Sequence, residues 1–192
     1  FNDYVESYTY DGLDRLTRTS LPAGGKTYAA AVGAQTPYAF WRLGEASGTT
    51  MADSSGNGRN GTYVNSPTLA QPGGLLQDAN TSITVASANT AGSAAGISLA
   101  NQSFSISFWM KRGSVGGSDI AVSQGTNTTR NGLHIGFTSL NAFKFGLWND
   151  DLATGTYTDL AWHFWTVSFD SVTKTQKLYR DGVQIGSRTA GG

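Results

Sequence analysis

The chain has 192 residues, a formal net charge of zero and a charged fraction of 14%, so long-range electrostatics point neither to nucleic acid nor to an anionic membrane surface. It contains no cysteine, which excludes a disulfide framework, a thiolate metal site and a thiol nucleophile. No apolar run approaches the roughly 18 residues of a membrane span, so membrane insertion is not expected.

Glycine is abundant, at 25 residues, and Ser, Thr and Asn are frequent while Lys and Glu are few. That balance favours short strands joined by tight turns. In chain order, residues 1–20 read FNDYVESYTYDGLDRLTRTS. Tyr8 and Tyr10 alternate with Thr9, Asp11-Gly12 marks a turn, and residues 15–18 resume an extended pattern, so a small hairpin is predicted. Residues 21–36 hold Pro22, Gly24, Gly25 and Gly33 among alanines. They read as a linker followed by a weak strand or one helical turn at 28–32, and a domain boundary belongs here. Strands follow at 38–43 and 61–65, separated by a polar loop carrying Asp53, Ser54, Asn57 and Asn60, and another at 82–86 precedes a small-residue loop at 89–95.

The strongest β patterns lie further on. In 102–111, Phe104, Ile106, Phe108 and Met110 share one face while Ser103, Ser105 and Ser107 share the other. In 161–170, aromatic residues on both faces predict a covered central strand. Further strands are expected at 120–124, 133–137 and 142–148, with a polar loop through Asn149, Asp150, Asp151, Thr154 and Gly155. Asp181-Gly182, between KLYR and VQIGS, is the strongest hairpin turn, of type I′. Two long strands of this kind imply a sheet with another layer against it, an all-β sandwich.

Two segments resemble known families. YTYDGLDRLT resembles the YD repeat of bacterial RHS proteins, Y-x-Y-D-x-x-G-R-L-T; Tyr8, Tyr10, Asp11, Arg15, Leu16 and Thr17 match, and Asp14 replaces the common Gly. Such repeats build a β shell in tandem, so a lone copy is an orphan strand pair. The stretch from residue 37 resembles the opening of laminin G-like domains of the concanavalin A-like superfamily: Phe40 to Glu45, Ser47 and Gly48 match, then Asp53 to Gly58, Gly61 and Thr62. SFSISFWMK, AWHFWTVSFD and KLYRDGVQIGS match later signatures, so the resemblance covers residues 27–192. It implies a two-sheet antiparallel jelly roll at 37–192, preceded by the 1–20 hairpin and the 21–36 linker. Such domains continue past the last hairpin to a closing strand, so the segment is expected to be an excerpt lacking its final strand or strands, with any secretion signal upstream.

Four kinds of chemistry have candidate residues in this chain. Asp53, Asn57 and Asn60 gather hard oxygen donors among glycines, the chemistry of a calcium loop, which the resemblance also implies; the same residues suit an Asx-turn network closed through its own backbone. His134 and His163 sit inside strands without a second ligand at zinc-like spacing and read as structural. Glycoside hydrolysis needs two carboxylates about 5–10 Å apart; Glu6 and Glu45 are the only glutamates, no E-x-D-x-x-E run exists, and no enzyme is expected. Sugars stack on exposed rings and bond to Asn, Asp and Arg, which makes Trp148, Asn149 and Asp150, with Tyr157 and Arg130, the candidate ligand cluster; core or rim packing of Trp148 is the alternative.

The expected function is a non-catalytic binding or adhesion module for a glycan or surface protein, extracellular or at a cell surface, within a larger RHS/YD-repeat-like protein. The alternative is a structural subunit whose copies join by strand exchange through Tyr8, Tyr10 and Leu16.

Overall fold

The computed structural model describes residues 7–10, 16–20, 27–75, 78–86 and 91–191, with strand pairing alone for the first two segments. Among the described residues it is all-β, with antiparallel sheets and one short helix. The chain divides into two compact units, Phe1–Ile97 and Ser98–Gly192.

In the first unit, β1 (Ser7–Tyr10) pairs with β2 (Leu16–Ser20), Tyr8 opposite Thr19 and Tyr10 opposite Leu16. The expected turn at 11–15 lies outside the described residues. The segment read as a weak strand or single turn is a helix, α1 (Tyr28–Gly33). Its alanines favour helix, and the Thr27 hydroxyl accepts the Ala30 N–H at 3.2 Å as an N-cap. Then come β3 (Thr50–Met51), β4 (Gly61–Val64), β5 (Thr68–Gln71), β6 (Ser82–Thr84) and β7 (Ala91–Ser93). They form the sheet β3-β4-β7 and the pair β5-β6, so part of the expected 89–95 loop is a strand, and Met51 and Tyr63 are buried here. The strand expected at 38–43 is reduced to a bridge between Trp41 and Asp53. Leu43 turns left-handed at φ 56°, and the Phe40 amide and carbonyl are taken by the Asp53 carboxylate and the Ser54 N–H.

The second unit contains β8 (Phe104–Met110), β9 (Asp119–Gly125), β10 (Gly132–Phe137), β11 (Phe143–Leu147), β12 (Asp151–Thr154), β13 (His163–Asp170), β14 (Thr175–Arg180) and β15 (Val183–Thr189). One sheet runs β12-β11-β10-β9 and the other β15-β14-β13-β8. Their inner faces make one core, with Ile135, Phe143 and Phe145 from the first sheet and Trp165, Val167 and Leu178 from the second, all at 1% exposure or less. Phe143 and Trp165 stack across it with centroids 3.7 Å apart and planes 8° from parallel. β12 was expected as a polar loop; its single buried apolar residue, Leu152, leaves too short a pattern to read as a strand. The hairpin between β14 and β15 is the predicted type I′ turn, with Asp181 at φ 51° and Gly182 at φ 79°. An alanine at Gly182 would hold a left-handed conformation at a cost of about 1 kcal/mol, so Gly182→Ala is expected to lower the thermal midpoint by several degrees.

Candidate ligand-binding face

The alternation along β8, β13, β14 and β15 sends apolar residues to the core and polar residues outward. The register aligns the outward side chains in rows. Ser105 stands opposite Ser168, Ser168 opposite Lys177, and Lys177 opposite Ser187. The next row is Ser107, Thr166, Tyr179 and Gln184, in which the Ser107 and Thr166 hydroxyls are 2.9 Å apart. Beyond it the Trp109 and Phe164 rings pack at 5.4 Å between centroids. A hydroxyl-rich platform thus passes into an aromatic one along a single sheet face.

At the hydroxyl end the face opens into a groove of about 650 Å³, lined by Ser103, Ser105, Ser168, Thr173 and Lys177 and bordered by Phe104 and Phe169, whose rings pack toward the core. Asp170 is its carboxylate, and one of its oxygens accepts the Val172 and Thr173 N–H groups at 2.8 and 3.1 Å. Those backbone bonds hold the carboxyl below its usual range. The groove therefore offers many neutral donors and acceptors, with one cation and one anion. Its signal was present in the sequence as the serine face of 102–111, read there only as the side away from the core.

The structure divides the sequence-derived ligand cluster. Arg130, Trp148, Asn149 and Asp150 meet where β11 ends, with Trp148 and Asn149 both left-handed, at φ 47° and 60°. Tyr157 instead bonds through its N–H to Asn141 at the other end of β11 and lies edge-on to Trp165 at 5.4 Å, beneath the Arg180 guanidinium. Trp148 packs edge-on to His134 at 5.6 Å, and the Asn149 amide donates to the Thr129 hydroxyl at 3.2 Å. Asp150 is only 4% exposed. It accepts from Arg130 Nε at 2.9 Å and the Gly191 N–H at 2.7 Å, and it also pairs with Arg188. These are closing contacts of the sandwich, and they occupy the carboxylate that a sugar would need.

In the first unit, Asp53 is the centre of a knot. One oxygen accepts the Phe40 and Ser55 N–H groups, each at 2.9 Å; the other accepts the Ser55 hydroxyl at 2.7 Å and the Arg59 N–H at 2.8 Å. The Asn60 side-chain oxygen takes the Asp53 N–H, and the Asn57 amide donates to the Pro37 and Tyr38 carbonyls. Partial burial pushes the Asp53 carboxyl up, but these bonds outweigh it and hold it far below its usual range. Among the described residues no group of three or more His, Asp or Glu side chains converges as a metal site. N–H groups aimed at both oxygens of Asp53 suit an anion held by its own loop, and this donor set does not fit a calcium ion. Adding calcium, or chelating it, is expected to leave the thermal midpoint of the chain unchanged.

The histidines take structural partners. His163 lies between Asp159 and Asp181, each 2.6 Å from a ring nitrogen, and Arg180 bonds Asp159 at 2.6 Å. Burial pushes the Asp159 carboxyl up, and the bonds from His163 and Arg180 bring it below its usual range. The cluster ties the segment before β13 to the β14–β15 turn. Its carboxylates come from residues 159 and 181, a link that no local spacing discloses. His134 covers Gly146, where a Cβ would lie 2.2 Å from the ring.

A two-sheet antiparallel sandwich is an architecture that many β proteins share, and by itself it fixes no role. Compared with protein families, residues 78–192 match the one described as the Concanavalin A-like lectin/glucanases superfamily, of laminin G type. The match takes in more than half of the chain, and the chain belongs to this family. The motif at 40–62 lies before the matched stretch. No curated protein and no solved structure matches the chain.

Proposed function

We propose that the protein is a non-catalytic binding module whose ligand is a neutral glycan, laid on the outward face of β8, β13 and β14. The observation that carries this reading is the groove beside Ser105, Ser168 and Lys177, on the same sheet face as the aromatic pair Trp109 and Phe164. Hydroxyl-rich ligands exchange hydrogen bonds with such a surface and stack on such rings. A nucleic acid would need more cations than Lys177, and the centres of protein interfaces are depleted of serine and lysine. Hydrolysis would need a second carboxylate facing Asp170 across the bond to be cut, and hydroxyls occupy that ground. The resemblance of 8–17 to a YD repeat supports placing the module outside the cell, within a larger surface protein.

Screening the chain against arrayed glycans tests this, with Ser168→Tyr as the variant that fills the groove. Binding of neutral oligosaccharides by the parent chain, lost in Ser168→Tyr while the thermal midpoint is kept, is the expected result. Equal binding by both proteins would remove the groove from the account. Binding confined to protein ligands would replace the glycan.

A further inference from the structure

The hydrogen bonds around His163 cannot all be made at once. Its Nδ1 lies 2.6 Å from Asp181 Oδ2. Its Nε2 lies 2.6 Å from Asp159 Oδ1 and 2.5 Å from a terminal nitrogen of Arg180. An ionised carboxylate only accepts and a guanidinium only donates, while a ring nitrogen does one or the other according to its proton. With a hydrogen on Nε2, His163 serves Asp159 and turns a donor toward Arg180. Without it, Nε2 accepts from Arg180 and turns a lone pair toward Asp159. No protonation state satisfies both neighbours, whereas Nδ1 donates to Asp181 in either.

Arg180 has somewhere else to go. Its guanidinium also bonds Asp159 Oδ2 at 2.6 Å and lies over the Tyr157 and Trp165 rings, 4.6 and 5.5 Å from their centroids. Among the described residues its Nε is buried without a hydrogen-bond partner, 3.8 Å from Asp181 Oδ2. A small rotation toward Asp181 would satisfy that N–H and clear Nε2, the move a protonated ring requires. Against the upward push of burial, His163 and Arg180 hold Asp159 ionised, so its carboxylate is present in both arrangements. Lys111, Arg112 and Tyr157 line the same small cavity. Arg112 is committed to Asp119 and Asn141, and Lys111 stands over the Trp162 ring, 5.5 Å from its centroid. Asp159 and Arg180 are thus the rivals for Nε2, and the contact between Asp159 and His163 closes residues 160–162, Trp162 among them, into a short loop.

We propose that His163 is a proton-operated clamp: with Nε2 protonated it holds Asp159 and fixes the loop that carries Trp162, and with Nε2 bare it passes to Arg180 and releases that loop. Imidazole is the side chain whose charge changes between about pH 5 and 8, so the clamp is closed on the acid side and open on the alkaline side. This inference goes beyond the glycan reading and needs none of its contacts.

With two histidines and five tryptophans in the chain, each ring can be followed by isotope-edited NMR of its nitrogens while pH is raised from about 5 to 8. At the acid end His163 should carry hydrogen on both nitrogens, and at the alkaline end on Nδ1 alone. The Trp162 indole signal should move with the same midpoint. In Asp159→Ala, which leaves Nε2 to Arg180 throughout, the movement of Trp162 should be lost. A His163 ring that does not change across the range overturns the proposal. So does an alkaline form with its hydrogen on Nε2, and so does a Trp162 signal that ignores the transition or keeps its movement in Asp159→Ala. The titration of the unsubstituted chain decides the first three outcomes even if that variant fails to fold.

Discussion

Trp165→Ala is expected to cost about 3–5 kcal/mol, the range for removing a large aromatic side chain from a packed core. Trp165 is 1% exposed. It stacks on Phe143 and meets Phe137 and Tyr157 edge-on at 5.5 and 5.4 Å. Truncation removes these contacts and leaves a cavity between sheets whose backbones are fixed by their ladders, so little of the loss is recovered by collapse. A loss of that size is a large part of the stability of a domain this small. Urea unfolding followed by near-ultraviolet circular dichroism would read it, and a cost below about 1 kcal/mol would mean that the two sheets do not close on this residue.

Asp150→Asn is the second large effect, and it carries a pH signature. Burial pushes the Asp150 carboxyl up, but Arg130, the Gly191 N–H and Arg188 outweigh burial and hold it below its usual range. A carboxyl depressed in the folded state contributes stability above its unfolded value of about 3.9, and that contribution is lost as pH falls toward the folded value. Asp150→Asn should therefore cost about 2–3 kcal/mol at pH 7, somewhat less than breaking a fully buried pair. The discount follows from the arginines, since the Arg130 and Arg188 side chains are 46% and 35% exposed and water can serve them. As pH falls below about 4 the difference between parent and variant should shrink. A difference that stays constant with pH would assign the loss to packing rather than to charge.

These two side chains show how unevenly the fold and the candidate site could be read. The core was legible because an inward strand face repeats every two residues, and Phe104, Ile106 and Phe108 display that period in seven letters. Asp181-Gly182 was legible because a type I′ turn needs two left-handed residues and few pairs supply them. Asp150 was not: between Asn149 and Asp151 it looks like loop polarity, and its partners Arg188 and Gly191 lie 38 and 41 residues away. Tyr157 and Trp148 are nine positions apart, which suggested one cluster, but β12 lies between them and carries Tyr157 to the far end of β11. Asp53, Asn57 and Asn60 have the composition of a calcium loop, yet composition does not say whether a carboxylate faces cations or N–H groups.

The proposed glycan face lies between these cases. Ser105 and Ser107 are visible as an outward stripe, and Thr166 and Ser168 as another, but only the register sets one stripe against the other and places Lys177 in the same row. By itself, then, the sequence determined the longer strands of the second unit, their buried faces and the tightest turn, because each depends on neighbours a few residues apart. The tertiary structure decided which polar groups are consumed by the fold. That decision rests on partners brought together from distant parts of the chain, since a buried charge persists only where such partners satisfy it.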